Sequence, residues 1–146
     1  MGECLFCNKE TEKSIKVKGY DGFSKSEQIV FCCGEDHEKE IKDYYEYTNK
    51  YGKRFIILIT LLSISVCGAV PLAFYINNIV LSMVIGFLPF VLIGQVIYIY
   101  PFATPQSTRK FGIKNSVRKT KKLARFIQIV SIVLSILLFI VIKVML

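Results

Sequence analysis

The chain has 146 residues, 53% of them hydrophobic and 21% charged, with a formal net charge of +8. An average soluble domain carries roughly 45–50% apolar residues and about 25% charge, so the totals are only mildly unusual. Their placement excludes one uniform globular domain. All 11 acids lie between Glu3 and Glu46, none occurs from residue 55 to 146, and eight of the nine basic residues in that second part fall between Arg109 and Arg125.

In chain order, the first feature is a cysteine-rich segment. Cys4-Leu5-Phe6-Cys7 is a C-x2-C, Cys32-Cys33 follows after 24 intervening residues, and His37, the sole histidine, comes just behind. Between them Ser14–Lys18 and Phe23–Phe31 flank Gly19-Tyr20-Asp21-Gly22. A turn signal between two such segments predicts a β-hairpin. After His37 the pattern becomes helical, with Ile41, Tyr44 or Tyr45, and Thr48 on one face and Glu38, Lys39, Lys42 and Glu46 on the other.

This layout suits a tetrahedral ion. Zn²⁺ takes four N/S ligands. A C-x2-C turn offers two thiolates, and a second pair at a helix entry offers two more, where the positive end of the helix favours anionic sulfur. Cys33 and His37 are separated by about one helical turn, so Cys4, Cys7, Cys33 and His37 form the expected metal set. Cys32 is the alternative to Cys33, because neighbours at a strand end point to opposite sides and only one can face the metal. Four protein ligands leave no open position, so the expected cofactor is structural Zn²⁺. An iron–sulfur cluster and a metal-free segment are the alternatives. A disulfide framework needs an oxidising compartment, and a thioredoxin-type C-x2-C needs a βαβ context. A segment of roughly 50 residues commonly draws part of its folding energy from a metal.

C-x2-C, a hairpin, and Phe31-Cys32-Cys33-x3-His37 leading into a helix resemble the treble-clef zinc fingers of the TRASH, MYM and YHS type. The likeness spans about residues 3–50 and departs from the group in its final histidine and doubled cysteine. It implies zinc, and either metal sensing and trafficking or protein–protein contact. The rest of the chain, with Pro101-Phe102-Ala103-Thr104-Pro105, is similar to prokaryotic zinc-finger membrane proteins.

Three uncharged runs follow: Phe55–Ile76, Ile79–Phe102 and Phe126–Ile142, the last extended to cover 123–146 with Lys143 near its end. About 20 apolar residues cross a bilayer core of about 30 Å, and such a backbone must be helical to satisfy itself. The expected fold is therefore a small α+β treble-clef zinc finger followed by an all-α membrane domain of three transmembrane helices. The domains are 1–50, a cytoplasmic zinc-finger head, and 51–146, a membrane domain with helices at about 55–76, 79–102 and 123–146 and a basic cytoplasmic loop at 103–122. Lys50, Lys53 and Arg54 precede the first run, Asn77-Asn78 links the first two without charge, and the basic cluster links the last two. The positive-inside rule then puts the N-terminus and the 103–122 loop in the cytoplasm and the C-terminus outside, in the cell membrane of a prokaryote.

Within the runs, Ser65 and Ala69, Ser82 and Gly86, and Ser131 and Ser135 recur at the four-residue spacing of close helix packing. Gln95 and Gln128 are the most polar side chains at depth and call for hydrogen-bond partners. In the basic link, Thr104-Pro105 predicts a capped helix start and Gly112 its end. Arg109, Lys110, Lys114, Arg118, Lys119, Lys121, Lys122 and Arg125 are the expected contacts to anionic lipid headgroups or to an acidic partner.

No enzyme is expected. The histidine is committed to metal, no acid pair lies near the membrane runs, and neither a Gly-rich phosphate loop nor a nucleophile elbow is present. Nucleic acid is not expected as a partner, since residues 1–54 are slightly acidic. The expected role is a membrane-anchored zinc-binding protein. Its head recruits a protein partner or a second copy, or serves a larger membrane complex as a small accessory subunit. Metal sensing or trafficking of Zn or Cu is the alternative, with Cys32 as a spare thiolate for ligand exchange.

Overall fold

The computed structural model describes residues 2–20 and 25–145. Asp21 and Gly22 of the expected turn, with Phe23 and Ser24 of the expected second strand, lie outside the described residues. Two short strands, β1 (Gly2–Glu3) and β2 (Glu10–Thr11), pair antiparallel around the C-x2-C turn. They are followed by the antiparallel hairpin β3 (Ser14–Tyr20) and β4 (Lys25–Phe31), with Ser14 opposite Phe31 and Tyr20 opposite Lys25. Three long helices come next: α1 (Glu35–Phe74), α2 (Ile79–Ile99) and α3 (Pro105–Met145).

The chain forms two compact units, Met1–Ile56 with Tyr100–Thr120, and Ile57–Ile99 with Lys121–Leu146. The first is built around Cys4, Val17, Val30, Cys32, Ile41 and Ile113, with Tyr44, Tyr45 and Val117 packed against them. Val17 and Val30 are the inward positions of the alternating hairpin, and Ile41 is the fully buried anchor of α1. The Glu38 carboxylate joins the start of α1 to the strands. It pairs with Lys13 at 2.9 Å and with Lys42, one turn along, at 2.7 Å.

The link 100–120 belongs to this first unit. The α2 helix stops at Ile99, three residues short of the expected Phe102, because Pro101 and Pro105 disfavour helical backbone at the residues before them. The extended stretch that results lays Phe102 against Tyr47 and Phe55, with ring centroids 5.5 and 5.0 Å apart. Thr104 then caps the next helix, its hydroxyl accepting the Ser107 N–H at 3.3 Å. Gly112 interrupts α3 with φ 73° and ψ 159°, so that α3 is two helices joined at a break. The Ser116 hydroxyl closes the break by donating to the Ser107 carbonyl at 2.8 Å.

The second unit is apolar. Its helices carry exposed Leu61, Ile64, Leu72, Val84, Leu88, Ile129, Ile136 and Leu137. All three helices are long and apolar enough to cross a membrane. Inside the unit, Gln128 Nε2 donates to Gln95 Oε1 at 2.8 Å, so each amide is the other's partner. Gly94 permits this approach, since a Cβ there would stand 2.6 Å from Gln128 Cγ. The Ser82–Gly86 face meets Ala73, with the Ser82 hydroxyl donating to the Ala73 carbonyl at 2.6 Å.

Candidate metal centre

Cys4, Cys7, Cys33 and His37 come together from three places in the chain, their ligand atoms all within 4.8 Å of one another. Cys4 Sγ is 3.7 Å from His37 Nδ1, and Cys7 Sγ is 3.4 Å from Cys33 Sγ. In a tetrahedron of Zn–S about 2.3 Å and Zn–N about 2.0 Å, donor atoms sit roughly 3.5–3.8 Å apart. The donor set suits a metal ion, and its two close pairs approach that spacing. An ion held by these four ligands contributes its binding energy to folding, because the unfolded chain has no preformed site.

Local structure explains the convergence. Cys4 pairs with Phe31 in a parallel bridge, and the Leu5 N–H donates to the Phe31 carbonyl at 2.9 Å. The C-x2-C turn is thereby tied to the end of β4, where Cys32 and Cys33 follow. Asn8 closes the turn: its N–H donates to the Cys4 carbonyl at 2.8 Å, and its φ of 63° is one that asparagine tolerates better than most residues. His37 lies in the first turn of α1, its ring 4.7 Å from that of Phe6.

Cys33, and not Cys32, enters the cluster. Cys32 is fully buried in the core, its N–H bonded to the Lys13 carbonyl at 2.9 Å and its carbonyl accepting the Thr11 hydroxyl at 3.1 Å. Alternation at the strand end thus turns one thiol inward and the other to the site. Burial also pushes the Cys32 thiol above its ordinary pKa.

The remaining sulfurs are electrostatically unequal. Burial opposes ionisation of Cys4, but the amides of Cys7 and Phe6, then the Cys33 thiol and amide, hydrogen-bond to it and take its pKa down to about 6. Desolvation, followed by hydrogen bonding and charge from Cys4 and Cys7, pushes Cys33 up to about 12. Thiols this close cannot all be anionic unless a cation shares the space, which is what a bound metal supplies.

The inter-helix link is built onto the same turn. Asn8 Nδ2 donates to the carbonyls of Arg109 at 3.4 Å and Lys110 at 3.0 Å, the free acceptors at the end of the first part of α3. The Ile113 N–H, a free donor at the start of the second part, bonds the Leu5 carbonyl at 2.8 Å. The C-x2-C turn therefore caps both sides of the break at Gly112. A Cβ on Gly112 would collide with the Phe6 carbonyl oxygen and stand 3.0 Å from Asn8 Oδ1. Sequence reasoning found Gly112 as a helix end but missed Asn8 and Ile113 as the groups that dock there.

The eight basic residues all lie exposed along α3. Arg109, Lys110, Lys114, Arg118 and Lys119 fall in the first unit and Lys121, Lys122 and Arg125 in the second. Lys119 Nζ sits 3.0 Å over the Phe111 ring, and Arg125 donates to the Tyr98 hydroxyl at 2.8 Å. No protein-family model, curated protein or solved structure matches the chain.

Proposed function

We propose that the chain is a membrane-anchored zinc protein whose treble-clef head serves protein interaction, either by recruiting a partner or as a small accessory subunit of a membrane complex. The observation that carries this reading is the cluster of Cys4, Cys7, Cys33 and His37. It uses every ligand that a structural zinc needs and leaves no open position for chemistry on a substrate. The three apolar helices supply the anchor. The charge pattern favours a multi-pass arrangement with the N-terminus and the basic link in the cytoplasm and the C-terminus outside. The exposed cations from Arg109 to Arg125 would then lie against anionic headgroups or an acidic partner surface.

Gentle detergent extraction, metal analysis and mass spectrometry of co-purifying chains test the proposal together. One zinc per chain and a recurrent protein companion or defined homo-oligomer are expected. Iron with sulfide absorbance, a metal-free folded head, or a monomer without companions at every expression level would overturn it. Labelling of Cys7 by an impermeant thiol reagent on intact cells would overturn the orientation alone.

Metal sensing is a second reading, favoured by one feature of the site. Cys33 is exposed, and the turn holding Cys4 and Cys7 also holds the break at Gly112. An exchangeable ion there would be felt by the helix leading to the third apolar segment. The buried Cys32 does not offer the spare thiolate that this role was expected to use. A zinc content that does not change under metal starvation would argue against sensing.

A further inference from the structure

A groove of about 810 Å³ opens on the first unit along β4, walled by the Tyr44–Thr48 turn of α1 and by the chain from Phe102 to Arg109. Its size lies within the range of ligand pockets, roughly 300–1,000 Å³. The sheet is only two strands wide; the outer edge of β4 is bridged by Cys4 at Phe31, and before that point no strand among the described residues pairs with it. Register shows which backbone groups face that edge. The Cys32 N–H bonds Lys13 across the hairpin, whereas the Phe31 carbonyl turns away from β3 to accept the Leu5 N–H. Antiparallel pairs alternate between bonded and non-bonded, and Ile29 is opposite Lys16, two residues from Phe31. Ile29 therefore presents its N–H and C=O to the open edge, and its side chain is 67% exposed.

We infer that this edge is a docking site for an extended peptide of a protein partner, which adds a strand to β4 and places a carboxylate at Arg109. The inference rests on the interaction role proposed above and gives it a surface. Three observations select a peptide over a lipid chain. Main-chain donors and acceptors such as those of Ile29 are satisfied by another strand and not by hydrocarbon. The exposed Ile29 side chain, which lines the groove along with Phe55 and Phe102, suits alternate apolar side chains of such a strand. Arg109 lines the groove with no carboxylate in ion-pair distance among the described residues, and the groove's one acid, Glu3, is exposed and outside that distance. Leu5 already occupies the edge at Phe31, so the added strand begins at the next outward position.

The full chain, zinc-loaded and held in nanodiscs, is panned against a phage-displayed library of eight-residue peptides, with empty nanodiscs as the counter-selection. Enriched peptides are expected to alternate β-branched residues and to carry an acid. Their addition should slow exchange of the Ile29 amide. Ile29→Pro removes the outward N–H together with the isoleucine side chain, at an edge position that tolerates proline, and should weaken binding at least about tenfold, the equivalent of about 1.4 kcal/mol. Arg109→Gln should also weaken binding about tenfold, whereas Lys39→Gln, at an exposed position outside the groove, should leave it unchanged. If Ile29→Pro loses its zinc, Arg109→Gln decides the matter. No enrichment, equal binding by Arg109→Gln, a phospholipid retained in the groove on native mass spectrometry and lost in Arg109→Gln, or a second copy pairing through β4 would each overturn the inference. Zinc content, measured on the same sample, separates this failure from failure of the metal-centred reading.

Discussion

Replacing Gly112 with alanine isolates the junction between the metal turn and the basic link. At φ 73° and ψ 159° the backbone lies where glycine is nearly alone, and a non-glycine residue there costs about 1–3 kcal/mol. The new Cβ would also press on the Phe6 carbonyl, which belongs to the C-x2-C turn. Opposing this are the contacts that dock the link. Ile113 is 4% exposed, and its burial contributes about 1.5–3 kcal/mol. Its N–H bond to Leu5 and the Asn8 caps contribute about 1 kcal/mol each. These contacts outweigh the penalty, so the link stays docked on average but opens more often, with the four cluster residues left in place. A penalty of about 1–3 kcal/mol corresponds to roughly 5–150-fold more frequent opening, read directly as faster hydrogen exchange at the Ile113 amide in the zinc-loaded protein. Trypsin cleavage after Lys110 and Lys114 should rise in parallel, while zinc stoichiometry stays at the wild-type value. Unchanged Ile113 exchange in the loaded variant would refute the docking described here.

Three further outcomes follow from the same geometry. Cys33→Ser should lose the metal, whereas Cys32→Ala should keep it and lower stability by about 1–2 kcal/mol for the cavity left in the core, checked by metal analysis and thermal unfolding side by side. Lys42 and Lys13 hydrogen-bond to the Glu38 carboxyl and hold it down from its ordinary 4.5 to about 2. A depressed folded-state pKa adds stability that is fully present above the unfolded value and is lost as pH falls through the folded one. The stability gap between wild type and Glu38→Gln should therefore be constant near neutrality and narrow as pH drops below 4.5 toward 2, and a gap that widens on acidification would contradict this ion pairing. Gln95→Leu leaves Gln128 without its partner and should destabilise the apolar helices by about 0.6 kcal/mol, the average for such bonds in membranes, measured by unfolding in mixed micelles.

Local chemistry made much of this protein legible in its sequence. Uncharged runs of 22, 24 and 17 residues pointed to three apolar helices, because length and hydropathy are properties of a single segment. The hairpin, the Thr104 cap and the glycine stop at 112 rest on neighbouring residues alone and were equally readable. The clustering of Cys4, Cys7, Cys33 and His37 was readable up to one ambiguity, since C-x2-C and Cys-x3-His are short spacings. Only tertiary structure chose Cys33 over Cys32, because the choice depends on which side of β4 meets Ile41 and the core. The same holds for Asn8 capping carbonyls 101 and 102 positions away, for Ile113 entering the head, and for the open edge of β4 at Ile29. Those contacts join segments that sequence separates by most of the chain. No periodicity records them, because their energy exists only once packing has brought the partners within reach.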